Sequence, residues 1–132
     1  MRIGFIGLGN VGAKLAGSLL RNSFDLVVHD LDKGVAQPLL EGGATWANSA
    51  REMATSCEVV VTCLPSPTAC SQVLEADDGL IAGFASGGGE GKVWLEMSTT
   101  DEAEVRRMAS LVQATGAMSV DCPVSGGCHR AA

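Results

Sequence analysis

Between residues 7 and 12 the chain reads Gly7-Leu8-Gly9-Asn10-Val11-Gly12, and the runs flanking that turn restrict the fold more than any other feature. Before it, 2-RIGFIGL-8 is almost continuously apolar, as a short strand covered on both faces must be. After it, Val11, Leu15 and Leu19 recur at i, i+4 and i+8, with the small Gly12 and Ala16 beside them, which is one face of a helix. A tight turn from a buried strand into a helix is how a parallel α/β sheet begins.

The rest of the chain repeats that alternation. Residues 25-DLVVHD-30 predict a second strand, and 33–40 a short helix or turn interrupted by Pro38. Ser49 and Glu52 form a capping box for a helix over 50–55. The run 58-EVVVTCL-64 is the most strand-like of all and ends at Pro65. Ser66 as cap and Pro67 at the first helical position then open a helix toward Glu75. The stretch 86-SGGGEG-91 has no periodicity and precedes a strand rather than a helix, so it reads as a flexible surface loop. Residues 93-VWLEM-97 form a strand, and Thr99 with Glu102 suggests a second capping box. Val105, Met108, Ala109 and Val112 mark the helix it opens, and 117-AMSVD-121 is a last strand.

Strands separated by helices imply right-handed crossovers and a doubly wound, mostly parallel sheet, here as one domain over 1–132. In such sheets ligands bind beyond the carboxyl ends of the strands, where the strand order reverses. That rule makes the loops after strands the candidate sites.

Composition removes several function classes. The 46% hydrophobic content is aliphatic and dispersed, without an apolar run near the roughly 18 residues of a membrane span. The first strand starts at Arg2, which leaves no leader and points to a cytoplasmic protein. A net charge of -6, with nine scattered Lys and Arg, disfavours nucleic acid. The five cysteines, Cys57, Cys63, Cys70, Cys122 and Cys128, form no C-x-x-C pair. Neither a metal site nor a disulfide framework is indicated, and reduced thiols are expected.

The glycine turn has the spacing G-x-G-x-x-G in the strand-to-helix context of a dinucleotide fingerprint. Gly7 permits the tight turn, Gly9 lets the backbone approach a pyrophosphate, and Gly12 lets helix and strand pack closely. Eighteen residues beyond Gly12, Asp30 ends the second strand, where an acidic residue accepts from the adenine ribose and repels a 2′-phosphate. This predicts NAD, while Lys33, close in sequence, leaves NADP open. The other reading of Asp30 is a surface residue that caps the following turn together with Asp32. A methyltransferase with a similar sheet would carry an acidic residue just before the glycine turn, where this chain has Ile6.

Four motifs in order, 4-GFIGLGNVG-12, 63-CLPSP-67, 96-EMST-99 and 121-DCPVSGG-127, give the sequence a specific resemblance. It resembles the cofactor-binding domain of the β-hydroxyacid dehydrogenases, which include 3-hydroxyisobutyrate dehydrogenase, tartronate semialdehyde reductase and, more distantly, 6-phosphogluconate dehydrogenase.

The resemblance implies that Gly7, Leu8, Gly9, Asn10, Val11, Gly12 and Asp30 bind the cofactor. It also places Leu64 and Pro65, with Ser66 beside them, against it, and Ser98 and Thr99 near its nicotinamide. Ser125, Gly126 and Gly127 would grip the carboxylate of a small hydroxy acid or its semialdehyde. Val11 stands where relatives have methionine and Cys122 where they have alanine. The family's proton-transferring lysine belongs to a G-x-G-x-x-x-K-x-x-N pattern, and Lys14, Lys33 and Lys92 lie in none. No catalytic residue is therefore expected in this chain. The helical second domain, which builds much of the family's homo-oligomer contact, would follow Ala132. The chain is expected to bind cofactor without turnover. A nonenzymatic dinucleotide-binding interaction module is the alternative reading.

Overall fold

The structure, a computed structural model, describes residues 1–98 and 101–122. Six strands run in the order β3-β2-β1-β4-β5-β6, and every neighbouring pair is parallel. They are β1 Arg2–Ile6, β2 Asp25–His29, β3 Thr45–Trp46, β4 Val59–Thr62, β5 Val93–Glu96 and β6 Met118–Asp121. The helices are α1 Asn10–Arg21, α2 Gln37–Glu41, α3 Ala50–Ser56, α4 Pro67–Glu75, α5 Leu80–Gly87 and α6 Glu102–Gln113. The expected doubly wound parallel sheet is the one observed.

Alternation along the strands feeds two cores. Ile3 and Phe5 of β1, Leu26 and Val28 of β2 and Val61 of β4 pack with Ala16 of α1 and Leu39 of α2. Ile6, Val27, Val60 and Trp94 point to the opposite face, where Met53, Leu74, Phe84, Met108 and Val112 of α3 to α6 cover them. A strand with both faces covered favours apolar residues throughout, which explains the nearly unbroken apolar runs, and the buried polar residues Thr62 and Glu96 stand at the strand ends with hydrogen-bond partners.

The structure departs from the sequence reading in several places. Pro38 lies in the first turn of α2, after a 3-10 turn over Lys33–Ala36, and so starts a helix instead of interrupting one. Strand β3 was not predicted, since two residues carry no usable period. Nor was α5, whose uniformly apolar sequence lacks a polar face; it packs into α3, where a Cβ on Gly83 would lie 2.6 Å from Ala54 Cβ. Helix α5 absorbs Ser86 and Gly87, so the glycine loop is shorter than expected, and Gly89 within it is buried against Thr115 and Ala117. Finally, α6 starts at Glu102 with Asp101 as its cap, which accepts from the N–H groups of Ala103 and Glu104, while Thr99 of the expected capping box lies outside the described residues.

Candidate functional site

The strand order reverses between β1 and β4, one leading to α1 and the other to α4. A crevice of about 760 Å³ opens there, beyond the strands' carboxyl ends. Its walls include Gly7, Gly9, Asn10, Val11 and Gly12 of the glycine turn, Asp30 after β2, Leu64 and Pro65 after β4, and Ser98 after β5. The sequence had singled out each of these. Thr99, Ser125, Gly126 and Gly127 lie outside the described residues.

The three glycines of the turn face different surroundings. Gly7 has φ +98°, and a Cβ on it would meet the carbonyl oxygen of Cys63 at 2.1 Å. A Cβ on Gly12 would lie 1.9 Å from the carbonyl oxygen of Gly7. Both positions are closed by the protein's own backbone. Gly9 is different, because a Cβ there would meet nothing within 4 Å. Its bare face is turned to open space, and it caps α1 with no side-chain acceptor and no acidic residue in the first turn. The N–H groups of that turn lack intrahelical acceptors and carry the positive end of the helix dipole. This cradle suits a pyrophosphate approaching the backbone closely.

Leu8 of the same turn faces inward. Its side chain is buried in the α1-side core, and its N–H donates to Asp30 Oδ2 at 2.8 Å. The other oxygen, Oδ1, accepts from Asp32 N at 3.0 Å, and Asp32 in turn caps the 3-10 turn through Gly34 N. Asp30 thus braces the glycine turn and caps its own, so part of the turn-capping reading holds. Each carboxylate oxygen keeps further acceptor capacity at the crevice wall. Lys33 places Nζ 5.4 Å from the ring centroid of Trp46. His29 Nδ1 lies 2.8 Å from the carbonyl of Ala47, which can only accept, so Nδ1 carries the proton.

On the opposite wall, Ser98 Oγ accepts from Leu64 N at 2.7 Å, tying the β5 turn to the β4 turn. Burial pushes the Cys63 thiol up, and the charge of Glu96 adds to that. Cys70 on α4 is pushed up to about 12, by burial first, with its hydrogen-bond contact to Ser98 acting the other way and Glu96 adding to the rise. Both thiols are protonated at neutral pH.

Sequence reasoning had not singled out His29, Leu31, Cys63 and Met97, which also line the crevice. They sit at or next to the carboxyl ends of β2, β4 and β5, so a strict application of the switch-point rule would have found them. Among the described residues no group of His, Cys, Asp and Glu could hold a metal ion, and no helix is long and apolar enough to cross a membrane.

Residues 2–132 match the sequence profile of the NAD binding domain of 6-phosphogluconate dehydrogenase. The probable mitochondrial 3-hydroxyisobutyrate dehydrogenase of Dictyostelium discoideum is 37% identical over 125 residues, covering 95% of this chain and 38% of that protein. The NAD-dependent L-serine dehydrogenase of Pseudomonas aeruginosa is 36% identical over 131 residues, 99% of this chain and 43% of that one. Among solved structures, Psf3 in complex with NADP+ and 2-OPP superposes with a TM-score of 0.89 at 27% identity, covering 96% of this chain and 44% of Psf3. The chain spans less than half the length of each.

Proposed function

Because the chain belongs to the family of the NAD binding domain of 6-phosphogluconate dehydrogenase, we propose that it is one dinucleotide-binding unit of an NAD-dependent dehydrogenase acting on a small 3-hydroxy acid or its semialdehyde. The observation that carries this reading is the open face of Gly9 at the start of α1, at the reversal of the sheet. The pyrophosphate would rest on the N–H groups of Asn10, Val11 and Gly12, and the adenine ribose would donate to Asp30. The other half of the cofactor would then lie across β1, along Leu64, Pro65, Ser98 and Thr99.

When bound, the nicotinamide supplies hydride transfer. This chain's residues hold and orient it, and Ser125, Gly126 and Gly127 are the proposed hold on the substrate carboxylate. The accompanying proton needs a base in reach. Lys92 is engaged at the carbonyls of Ala54, Thr55 and Cys57, Lys33 lies over Trp46, and none of Lys14, Lys33 and Lys92 falls in the lysine pattern that the resemblance implies. The chain alone should therefore bind cofactor without turnover, and homo-oligomeric assembly belongs to the full enzyme. A reducing, cytoplasmic setting goes with the free thiols Cys57, Cys63, Cys70 and Cys122.

Calorimetric titration with NADH and then NADPH tests the reading, together with an assay of 3-hydroxyisobutyrate and L-serine oxidation. Binding with preference for NADH and no turnover is expected. Absence of binding to either cofactor overturns it.

A further inference from the structure

Glu96 ends β5 with its side chain fully buried, and nothing in the cofactor reading above uses it. A buried carboxyl group is costly unless its oxygens are satisfied, so its partners reveal what it holds. Oε1 accepts from the N–H of Ser98 at 2.6 Å, and Oε2 accepts from the thiol of Cys70 at 3.2 Å. Ser98, itself 4% exposed, accepts from Leu64 N through Oγ. One side chain thereby joins the β5 turn, the β4 turn and α4.

The arrangement also determines where protons point. Cys70 has one proton and two acceptors within reach, Glu96 Oε2 at 3.2 Å and Ser98 Oγ at 3.6 Å. Glu96 takes it at the shorter distance. Ser98 Oγ already accepts from Leu64, so its own proton is left to turn into the crevice it lines. An amide in place of the carboxyl would have a single acceptor oxygen and would leave either Ser98 N or the thiol without its partner.

We propose that Glu96 is a positioning residue that fixes the Ser98 hydroxyl as the donor, and the Leu64 turn bonded to it as the wall, for the nicotinamide half of the cofactor. The assignment of that half follows from topology. The pyrophosphate at the glycine turn divides the ligand, Asp30 marks the adenosine side, and β4 and β5 lie on the other. The inference rests on the cofactor reading, and its test separates the two.

The test compares NADH with AMP, which reaches only the Asp30 side and the glycine turn, by calorimetry and by NMR shift titration. The wild-type chain is measured beside Glu96→Gln, Cys70→Ala and Cys70→Ser. Glu96→Gln should bind NADH about tenfold more weakly and AMP within about twofold of the wild type. Cys70→Ala should lose about threefold for NADH alone, and Cys70→Ser, which keeps a proton donor, should restore it. Equal losses for NADH and AMP would reduce Glu96 to a packing residue and overturn the proposal, as would wild-type affinity for both. Should Glu96→Gln not fold, the cysteine pair decides, and identical NADH binding by Ala and Ser variants overturns the idea. A wild-type chain that binds neither ligand instead refutes the cofactor reading.

Discussion

Asp30 Oδ2 accepts a 2.8 Å hydrogen bond from the N–H of Leu8, so the residue expected to choose the cofactor also holds the turn that would bind its pyrophosphate. The two tasks are separable by chemistry. Asn keeps an acceptor for Leu8 but loses the charge that repels a 2′-phosphate, whereas Ala loses both. Asp30→Asn should reduce the preference for NADH over NADPH by about tenfold with little change in stability. Asp30→Ala should weaken both cofactors, because the turn itself loosens. Titrations of the two variants with both cofactors check this, and undiminished preference in Asp30→Ala would remove Asp30 from the specificity role.

The glycine turn gives a contrast between positions that look alike in sequence. At Gly12 an added methyl meets the carbonyl oxygen of Gly7 at 1.9 Å, and neither backbone can yield without moving α1. Gly12→Ala should cost about 1–3 kcal/mol of stability. At Gly9 the methyl enters open space, and the backbone there, with φ -69° and ψ -167°, suits alanine. Gly9→Ala should cost no more than about 1 kcal/mol of stability, since alanine caps a helix less well than glycine, and weaken NADH by about tenfold or more. Denaturant melts alongside binding titrations distinguish them. A Gly9→Ala chain with full affinity would mean that no ligand approaches there.

What the sequence made legible, and what it hid, follows from the range of each signal. Strand β1, the glycine turn and α1 are local in sequence, and their roles could be assigned from the consecutive residues 2–21. Asp30 was found by spacing, yet its bond to Leu8 was not, because it links positions 22 apart across two parallel strands. Glu96 shows the same limit. The sequence shows it only as part of the strand 93-VWLEM-97 and of the 96-EMST-99 motif, since a carboxyl after an apolar run reads as a strand end. Its partners Cys70 and Ser98 come together only when α4 packs onto the sheet. Helix α5 was missed for the opposite reason, because its exposed end carries Ala85 and Gly87 with Ser86 as its one polar residue, and so offers no polar face to mark a helical period.

Lys92 provides a test of stability away from the crevice. Its Nζ donates to the carbonyls of Ala54, Thr55 and Cys57 at 2.9, 3.1 and 2.9 Å, closing the carboxyl end of α3 where unpaired acceptors and negative dipole charge gather. Lys92 stands just before β5, at the end of the strand opposite to the candidate site. Lys92→Met should therefore cost about 1–2 kcal/mol and lower the melting midpoint by about 4–8 °C. NADH affinity should not change. A loss of binding as large as the loss of stability would contradict the separation of the two ends.

Arg107 of α6 grips Glu75 of α4 with two bonds of 2.8 Å, one to each oxygen, and also holds Glu104. These bonds, with a further one from Ser71, hold the Glu75 carboxyl down at about 2, against an ordinary value of 4.5. A carboxyl whose folded value is depressed stabilises the fold above its unfolded value and loses that contribution as pH falls through the folded one. The clamp should be fully effective above about pH 4.5 and fade toward pH 2. Both side chains are partly solvated, at 43% and 32% exposure, so the effect should be small and weaken with salt. Melting midpoints at pH 6 and pH 2.5, for the wild type and Glu75→Gln, decide the matter. The wild type should be the more stable at pH 6 and lose more of its midpoint on acidification, whereas parallel curves would show that the pair contributes nothing to holding α4 against α6.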